Sequence, residues 1–324
     1  MTNAPELTQV TTVEQAAQAK GEIRAGGTDF QDRRRHQVSS GPIVDIHRLP
    51  GLSAIDWDER GAARIGTLTT LTTIASDPRL RDAYPGLAQA AGGLATPQIR
   101  AMASLGGSLL QRSRCWYARH PQFRCYQRGG QRCFARDGEH EHGVVFDTSP
   151  CVHPHPSTMG MALIGYEALV EVNGAQWRAM EQLYGDGSDP TRDHRLEEGE
   201  LLTTVQLPPP VAGERAAYFR AIQRREAEWA IVEAMTRLCV QDGVITFARV
   251  TVGAVARVPR RLKHVEAALI GQPPTAVTLE QAAALATAGA SPLPHTVHKM
   301  RILCGTVLET LERTTLGCPP WASR

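Results

Sequence analysis

The chain contains the sequence RAGGTDF at residues 24–30, between a strand-like stretch, EIRA, and a helix-like one, FQDRRR. Two successive glycines tolerate positive φ and leave backbone N–H groups exposed, which makes a concave nest for phosphate oxygens. Thr28 and Asp29 add a hydroxyl and a helix-capping carboxylate. A second pair, Gly106 and Gly107, lies in ASLGGSLLQR at residues 103–112. Two nests on separate loops can hold a pyrophosphate from two sides, although either pair alone is also typical of an ordinary turn.

Neither glycine pair fits the nucleotide-binding sequence motifs of the common folds. The spacing matches neither G-x-G-x-x-G nor G-x-x-x-x-G-K-[ST], which excludes the Rossmann and P-loop sites. The chain also lacks G-x-S-x-G, H-E-x-x-H and paired-carboxylate motifs, so nothing indicates a hydrolytic site. A dinucleotide held by another fold remains consistent with the sequence.

The composition is that of a globular protein with about two domains. The 324 residues are 42% apolar and 21% charged, and the net charge of +2 gives no general attraction to nucleic acid. We expect no membrane span, because no run of 18 apolar residues occurs. The start of the chain lacks the basic and apolar regions of an export signal. We therefore expect a cytoplasmic protein, or a periplasmic one if a signal-bearing partner carries it out.

The pattern of apolar residues predicts two domains of mixed helix and sheet. In the first, a capped helix at 11–19 precedes three strand candidates, PIVDI, LSAIDW and ARIGTLTTL, and then one or two short helices. A polar, turn-rich stretch indicates a domain boundary near residue 177. Beyond it we predict three strands, LLTTVQLP, AAYFRAIQR and VITFARVTVGAVA, and three helices, WAIVEAMTRLCV, LEQAAALATAG and VHKMRILCGTVLETLERT.

Four of the seven cysteines fall close together, with the spacing Cys-x9-Cys-x7-Cys-x17-Cys. They are Cys115, Cys125, Cys133 and Cys151, in a stretch at about 112–156 that is rich in Arg and His and poor in aliphatic residues. Such a stretch cannot build an apolar core, and a bound metal would order it. The absence of a Cys-x2-4-Cys knuckle favours a 4Fe-4S cluster over zinc. Free or disulfide-bonded cysteines remain an alternative.

Five motifs in order carry a resemblance to a known family. Besides the two glycine loops they are RIGTLTTLTTI (64–74), EEGELLTTVQLPPP (197–210) and YFRAIQRREAEWAIV (218–232). The chain resembles the FAD-binding medium subunits of molybdenum hydroxylases, the xanthine dehydrogenase and carbon monoxide dehydrogenase group. The resemblance implies an α+β fold: a two-subdomain FAD-binding domain at 1–176, of the vanillyl-alcohol-oxidase-like (PCMH) type, then a smaller α/β domain at 177–324 with a three-stranded antiparallel sheet.

The resemblance also implies which residues contact FAD, with its pyrophosphate on the two glycine loops. These are Arg24, Ala25, Gly26, Gly27, Thr28, Asp29, Thr67, Ala103, Ser104, Gly106, Gly107, Ser108, His155, Ser157, Arg220 and Glu228. Arg220 is expected near the pyrimidine edge of the flavin, and Glu228 in a salt-bridged wall with Arg224 and Arg225. The chain departs from the family pattern at Ser108, Arg220 and Glu228, where Asn, Lys and Asp are usual, and at Thr158, where an acidic residue is expected.

The four-cysteine insertion resembles that of two subgroups, the flavin subunits of periplasmic aldehyde oxidoreductase and of 4-hydroxybenzoyl-CoA reductase, which carry an extra 4Fe-4S cluster. The resemblance therefore implies that the four cysteines bind such a cluster, with aldehyde oxidation favoured and aromatic acyl-CoA reduction as the alternative. It further implies a heterotrimer, or its dimer, with a molybdopterin-binding large subunit and a 2Fe-2S small subunit. Electrons would pass from the 2Fe-2S clusters through FAD to an external acceptor.

A hypothesis of another class is a zinc-stabilised module that binds nucleic acid through its arginines. Only three of the 35 basic residues are lysines, so the abundance of arginine is a property of the whole chain. We therefore expect no nucleic-acid partner. The chain also lacks molybdopterin-binding segments and the cysteine spacing of a 2Fe-2S domain, so the substrate is expected to react on another chain.

Overall fold

A computed structural model of the protein describes residues 6–224 and 227–316. Its strands are β1 (Leu7–Gln9), β2 (Glu22–Arg24), β3 (Ile43–Asp45), β4 (Ile55–Trp57), β5 (Ala63–Gly66), β6 (Leu169–Val172), β7 (Gln176–Ala179), β8 (Leu202–Leu207), β9 (Arg215–Ala221), β10 (Val232–Gln241), β11 (Val244–Gly253) and β12 (Arg260–Arg261). Its α-helices are α1 (Val13–Gln18), α2 (Thr28–Arg35), α3 (Leu71–Ser76), α4 (Pro78–Ala83), α5 (Pro85–Gly93), α6 (Pro97–Met102), α7 (Leu105–Leu109), α8 (Phe134–Asp137), α9 (Thr158–Gly165), α10 (Met180–Tyr184), α11 (Lys263–Leu269), α12 (Ala276–Ala284) and α13 (His298–Leu316).

A small parallel sheet at the start of the chain presents the first glycine pair. Its strand order is β1-β3-β2, and both pairings are parallel. Parallel neighbours need crossover connections, and here α1 links β1 to β2 while α2 links β2 to β3. Gly26 and Gly27 therefore form the turn at the carboxyl end of β2, immediately before α2.

The second sheet has five strands in the order β4-β5-β8-β6-β7, all paired antiparallel. Helices α3, α5 and α9 contribute Leu71, Leu87 and Leu163 to its hydrophobic core. The segment LLTTVQLP is a strand as predicted, but its assignment to the second domain is wrong, because β8 pairs with β5 and β6 of this sheet. The boundary expected near residue 177 falls inside β7, and the chain returns to the sheet after it.

The third sheet, β12-β11-β10-β9, is a small antiparallel sheet in the C-terminal half, as expected, but it has four strands where three were predicted. The predicted helix WAIVEAMTRLCV is wrong: residues 232–241 form β10. Residues 232–239 are buried without interruption, since α13 packs on this strand and α9 contacts it as well. Burial on both faces removes the alternation of apolar and polar residues that marks a half-buried strand. The long helix predicted from VHKMRILCGTVLETLERT is confirmed as α13.

The cysteine-rich insertion contains little regular structure. Between residues 112 and 156 it forms a 3-10 turn at Tyr126–Arg128 and the four-residue helix α8. Three aromatic side chains, Tyr117, Phe123 and Phe134, pack against one another in it. None of the helices in the described part of the chain is long and apolar enough to cross a membrane.

Candidate functional site

A cavity of about 510 Å³ lies between the two glycine loops. Nine of the residues predicted to contact the cofactor line it, and these are Ala25, Gly26, Gly27, Thr28, Asp29, Thr67, Ser104, Gly106 and Gly107. The structure thus brings together two segments that are far apart in sequence. Residues of both glycine loops therefore line the same cavity.

The surroundings of the two loops leave no room for a side chain at Gly26 or at Gly106. A Cβ atom on Gly26 would lie 1.7 Å from the carbonyl oxygen of Met102, and one on Gly106 would lie 2.9 Å from the Cβ of Thr67. Gly27 adopts φ +78°, the left-handed conformation that glycine tolerates without strain. Packing therefore requires glycine at positions 26 and 106, and the backbone conformation favours it at position 27.

The N–H groups of the two loops are not equally available to a ligand. Gly106 donates its N–H to the carbonyl of Thr67 at 2.8 Å, and the N–H of Gly107 donates to Ser104 Oγ at 3.2 Å. By contrast, Gly27 has no side chain to cap α2. The first N–H groups of a helix have no partner within it, and the helix dipole favours an anion there. The eight-residue helix α2 is therefore the stronger anion site of the two.

Asp29 connects the first loop to the insertion. Its carboxylate lies 2.7 Å from Arg119 Nη2 and 3.1 Å from Arg114 Nη2, and it accepts the N–H of Arg112 at 3.2 Å. Burial opposes ionisation of Asp29, but Arg114 and Arg119 outweigh it, and the pKa is lowered. The carboxylate is thus ionised and held by arginines of the insertion.

The remaining predicted contacts lie outside this cavity. Arg24 binds Asp45 at 2.6 Å, Ala103 accepts the N–H of Leu71, and Ser108 is buried in α7. Ser157 caps α9 by accepting the N–H of Gly160 at 3.0 Å.

Two further predicted contacts, His155 and Glu228, line a second cavity of about 300 Å³, between the insertion and the C-terminal sheet. Arg220 donates to the carbonyl of Glu228 at 3.2 Å. Arg225, expected beside Arg224, is outside the described residues.

A buried carboxyl group in the second cavity was not predicted. Glu233, on β10, is only 2% exposed, and its Oε2 accepts hydrogen bonds from Thr158 Oγ1 at 2.7 Å and from Tyr218 Oη at 2.9 Å. Burial raises the pKa of Glu233, while the two hydroxyl donors act against the shift. The single acidic residue in the apolar run IVEAM was the only sequence signal.

All four clustered cysteines line one small cavity within the insertion. Cys125 and Cys151 are buried, and Cys115 and Cys133 are partly buried. Burial raises the pKa of Cys115 to about 11. A hydrogen bond from the Cys151 side chain lowers the pKa of Cys133. Four thiol donors around one enclosed space fit the ligand set of a 4Fe-4S cluster.

The described residues contain no group of three or more His, Cys, Asp or Glu side chains arranged around a single metal ion. A cubane cluster places a different iron on each thiolate, so its ligands surround a volume instead of converging on a point.

Several arginines of the insertion are bound to carboxylates. The pairs are Arg112–Asp193, Arg114–Asp29, Arg119–Asp29 and Arg136–Asp147.

Comparison with known protein families covers both halves of the chain. The family described as "FAD binding domain in molybdopterin dehydrogenase" matches residues 2–210, and "CO dehydrogenase flavoprotein C-terminal domain" matches residues 217–308. The chain belongs to the FAD-binding medium subunits of the molybdenum hydroxylases. As a member of this family it is an FAD-binding oxidoreductase subunit.

Individual relatives agree with the family. The aldehyde oxidoreductase FAD-binding subunit of Escherichia coli is 31% identical over 253 residues, which cover 76% of this chain and 78% of that protein. The nicotinate dehydrogenase FAD-subunit of Eubacterium barkeri is 26% identical over 80% of this chain and 74% of its own length. Both relatives are named as FAD-binding or FAD subunits, which agrees with the family.

Solved structures confirm the α+β fold. Carbon monoxide dehydrogenase from Hydrogenophaga pseudoflava has a chain that superimposes with a TM-score of 0.75 at 21% identity, over 97% of this chain and 98% of that one. Quinoline 2-oxidoreductase from Pseudomonas putida 86 gives a TM-score of 0.74 at 19% identity, with the same coverage of both chains. At these identities the match concerns the fold alone.

Proposed function

We propose that this medium subunit carries FAD and a 4Fe-4S cluster and transfers electrons within a molybdenum-dependent oxidoreductase. The observation that carries the proposal is the cavity shared by Cys115, Cys125, Cys133 and Cys151, in an insertion that is tied by arginines to the first glycine loop. A cluster held there would lie beside the FAD cavity. The flavin accepts electrons singly and can release them as a pair, which is the chemistry that FAD supplies to such a subunit.

The first cavity supports a specific orientation of FAD. The pyrophosphate would bind at the N-terminus of α2, where Gly26, Gly27 and Thr28 offer backbone N–H groups and a hydroxyl. Ser104 and Gly107, on the second loop, would lie on the other side of the pyrophosphate. Their contacts with it would be mainly steric, because the Gly107 N–H already donates to the Ser104 hydroxyl. His155, Ser157, Arg220 and Glu228 would belong to the flavin side of the molecule.

Nearby positive charges support cluster binding by the insertion, whereas the protonated state of two of its thiols opposes it. Cys115 and Cys151 are neutral at ordinary pH without a metal, because burial raises the pKa of Cys115 and the hydrogen bond to Cys133 raises that of Cys151. Binding of iron would deprotonate both thiols, so cluster binding and folding of the insertion would be coupled. The positive charge of Arg257 near Cys151, and of Arg128 near Cys125, would stabilise the net negative charge of the cluster.

The substrate would be oxidised on a molybdopterin-binding large subunit, with a 2Fe-2S small subunit as the electron donor to this chain. An aldehyde is the substrate class we favour, because the 31% identical relative is the FAD-binding subunit of an aldehyde oxidoreductase. Reduction of an aromatic acyl-CoA is the alternative within the family. The complex would be cytoplasmic, or periplasmic if a signal-bearing partner exports it.

Anaerobic purification of the chain, with flavin, iron, sulfide and zinc measured on one sample, tests the proposal. We expect one FAD and about four irons per chain, with a broad absorption near 400 nm beneath the flavin bands, as is typical of these clusters. Cys125→Ser and Cys151→Ser should each lose iron while FAD remains. Cys239→Ser, at a buried cysteine of β10, is the matched control and should keep both.

FAD without iron in the wild-type chain would refute the cluster and leave the flavin. Zinc in place of iron would show that the cysteines have another role. Iron loss in the Cys239→Ser control would show that the cysteine variants act through general instability.

A further inference from the structure

A buried carboxylate is connected to the start of the cysteine-rich insertion. Asp193 lies in the loop between α10 and β8, and its side chain is completely buried. Its Oδ2 accepts the backbone N–H of Ser113 at 2.9 Å. The Oγ of Ser113 in turn accepts the N–H of Cys115 at 3.3 Å. Two successive hydrogen bonds therefore link Asp193 to the first of the four cysteines.

Arg257 extends this connection to the other end of the insertion. Its buried guanidinium pairs with Asp193 Oδ1 at 3.3 Å, and its Nη1 donates to the carbonyl oxygen of His153 at 3.0 Å. His153 is two residues beyond Cys151, the last of the four cysteines. The Nε2 of His155 donates to the backbone carbonyl of Asp193 at 3.1 Å. One ion pair thus holds the chain on both sides of the insertion.

The segment that Asp193 holds also separates the cavities proposed for FAD and for the cluster. Ser113, Ala118 and Gln127 line both the first cavity and the four-cysteine cavity. A displacement of Ser113 would therefore change the shape of both cavities together.

The charges of this ion pair are poorly screened. Both side chains are enclosed by protein, where charges interact more strongly than in water. The guanidinium donates to the carbonyl oxygens of His153 and Arg192, and its Nε is buried without a hydrogen-bond partner among the described residues. The hydrogen bond to Cys133 and burial raise the pKa of Cys151, and the positive charge of Arg257 opposes this rise. The field of Arg257 therefore reaches the four-cysteine cavity.

We propose that Asp193 and Arg257 are a positioning pair for the iron–sulfur cluster, which fixes Cys115 and Cys151 and places opposed charges beside the four-cysteine cavity. The proposal rests on the proposed function, because it requires the cluster. A cluster with four thiolates is net negative, and its reduced form is more negative than its oxidised form. Arg257 therefore raises the reduction potential of the cluster, whereas Asp193 lowers it.

The first test is the iron content of the full chain after anaerobic purification. Asp193→Ala removes the acceptor of Ser113 and the partner of Arg257, and should lose more than half of the iron. Asp193→Asn keeps an oxygen acceptor for Ser113 and should retain the iron. Asp186→Asn, at an exposed carboxylate of the same loop paired with Arg195, is the matched control and should behave as wild type. Wild-type iron content in Asp193→Ala would overturn the inference.

The second test is the midpoint potential of the cluster, from an anaerobic redox titration followed by EPR spectroscopy. Asp193→Asn should raise the potential and Arg257→Met should lower it. In each variant the ratio of reduced to oxidised cluster at a fixed potential should change at least about threefold, which is about 28 mV at about 59 mV per tenfold change. General loosening of the insertion gives no reason for opposite shifts. Shifts in the same direction, or no shift, would overturn the inference.

Arg257→Met keeps the tests decisive if the Asp193 variants do not fold. In it Asp193 still accepts the N–H of Ser113 and still has Arg112 Nε at 3.5 Å, so the carboxylate is not left alone. An unchanged potential in Arg257→Met would overturn the inference by itself. FAD and iron are measured on every sample. Their absence from the wild-type chain refutes the proposed function, whereas normal FAD and iron there, with unchanged iron content and potential in the variants, refute only this inference.

Discussion

The guanidinium of Arg119, in the cysteine-rich insertion, binds the carboxylate of Asp29, at the start of α2, with 2.7 Å between Nη2 and Oδ1. The same guanidinium reaches Asp32 on the next turn of α2, with 2.9 Å between Nη1 and Oδ2. Both partners of the first contact are largely buried. A movement of the insertion is therefore transmitted directly to the helix whose N-terminus faces the first cavity.

Replacement of Arg119 should separate the insertion from the first glycine loop. In Arg119→Met, Asp29 keeps Arg33 and Arg114 but loses its shortest ion pair, and we expect a loss of about 1–3 kcal/mol in the free energy of unfolding. FAD affinity should fall as well. Arg132→Met removes an exposed pair with Asp137 and should change stability by no more than about 0.5 kcal/mol. Urea unfolding measures the free energy of unfolding of both variants, and FAD titration measures their affinity for FAD. Equal losses in Arg119→Met and Arg132→Met would contradict the prediction.

The contact between the two loops should tolerate no side chain at position 26. Gly26→Ala would place a Cβ 1.7 Å from the carbonyl oxygen of Met102, so the loops must separate, and FAD binding should be lost together with stability. Gly305→Ala, in α13 with open space around its Cβ, should instead stabilise the chain by about 0.5–1 kcal/mol. Thermal unfolding of Gly26→Ala and Gly305→Ala, with and without FAD, measures the stability of each variant and its stabilisation by FAD. Normal FAD binding by Gly26→Ala would show that the loops are not held as described.

Glu233 should make the protein less stable as the pH rises. Its folded pKa is raised above the ordinary 4.5, mainly by burial, so the folded state binds the proton more tightly than the unfolded state. The resulting stability is present below about pH 4.5 and is lost as the pH rises through the folded pKa. Glu233→Gln keeps acceptors for Thr158 and Tyr218 without the charge, and should remove this loss.

The measurement is the difference in the free energy of unfolding between wild type and Glu233→Gln from pH 5 to pH 8. As the pH rises, Glu233→Gln should become increasingly more stable than wild type. Glu59→Gln, at an exposed position, should show no such trend. A constant difference would mean that the carboxyl group is ionised in both the folded and the unfolded state across this range, so that its folded pKa is not raised.

His155 should destabilise the protein in acid. Its Nδ1 accepts the N–H of Ser157, so the ring carries its proton on Nε2, which donates to the carbonyl of Asp193 at 3.1 Å. Burial lowers the pKa of His155 from 6.5 to about 4. The unfolded state therefore binds more protons between these values, and stability falls as the pH drops from about 6.5 towards 4.

In His155→Gln this part of the acid sensitivity should disappear, whereas His36→Gln, at an exposed histidine, should behave as wild type. Chemical unfolding at half-unit pH steps gives the slopes. If wild type and His155→Gln show the same slope, protonation of His155 is not responsible.

The sequence predicted the features whose cause is local. The glycine loops were recognisable because successive glycines mark a turn that can adopt a positive φ, as Gly27 does, and α13 because its apolar residues follow the helical period. The sheet that contains β8 was not predictable, since its partner β5 is distant in sequence. The strand β10 was mistaken for a helix because both its faces are buried, and Glu233 gave no local signal for the hydroxyl groups that hold it.

The late position of β8 has a consequence for synthesis on the ribosome. The central strand of the five-stranded sheet spans Leu202–Leu207, whereas Cys151, the last of the four clustered cysteines, precedes it by some fifty residues. A nascent chain that ends between these points exposes four thiols that no finished domain protects. Oxidation at this stage would trap non-native disulfides, so anaerobic expression should raise the yield of correctly assembled protein.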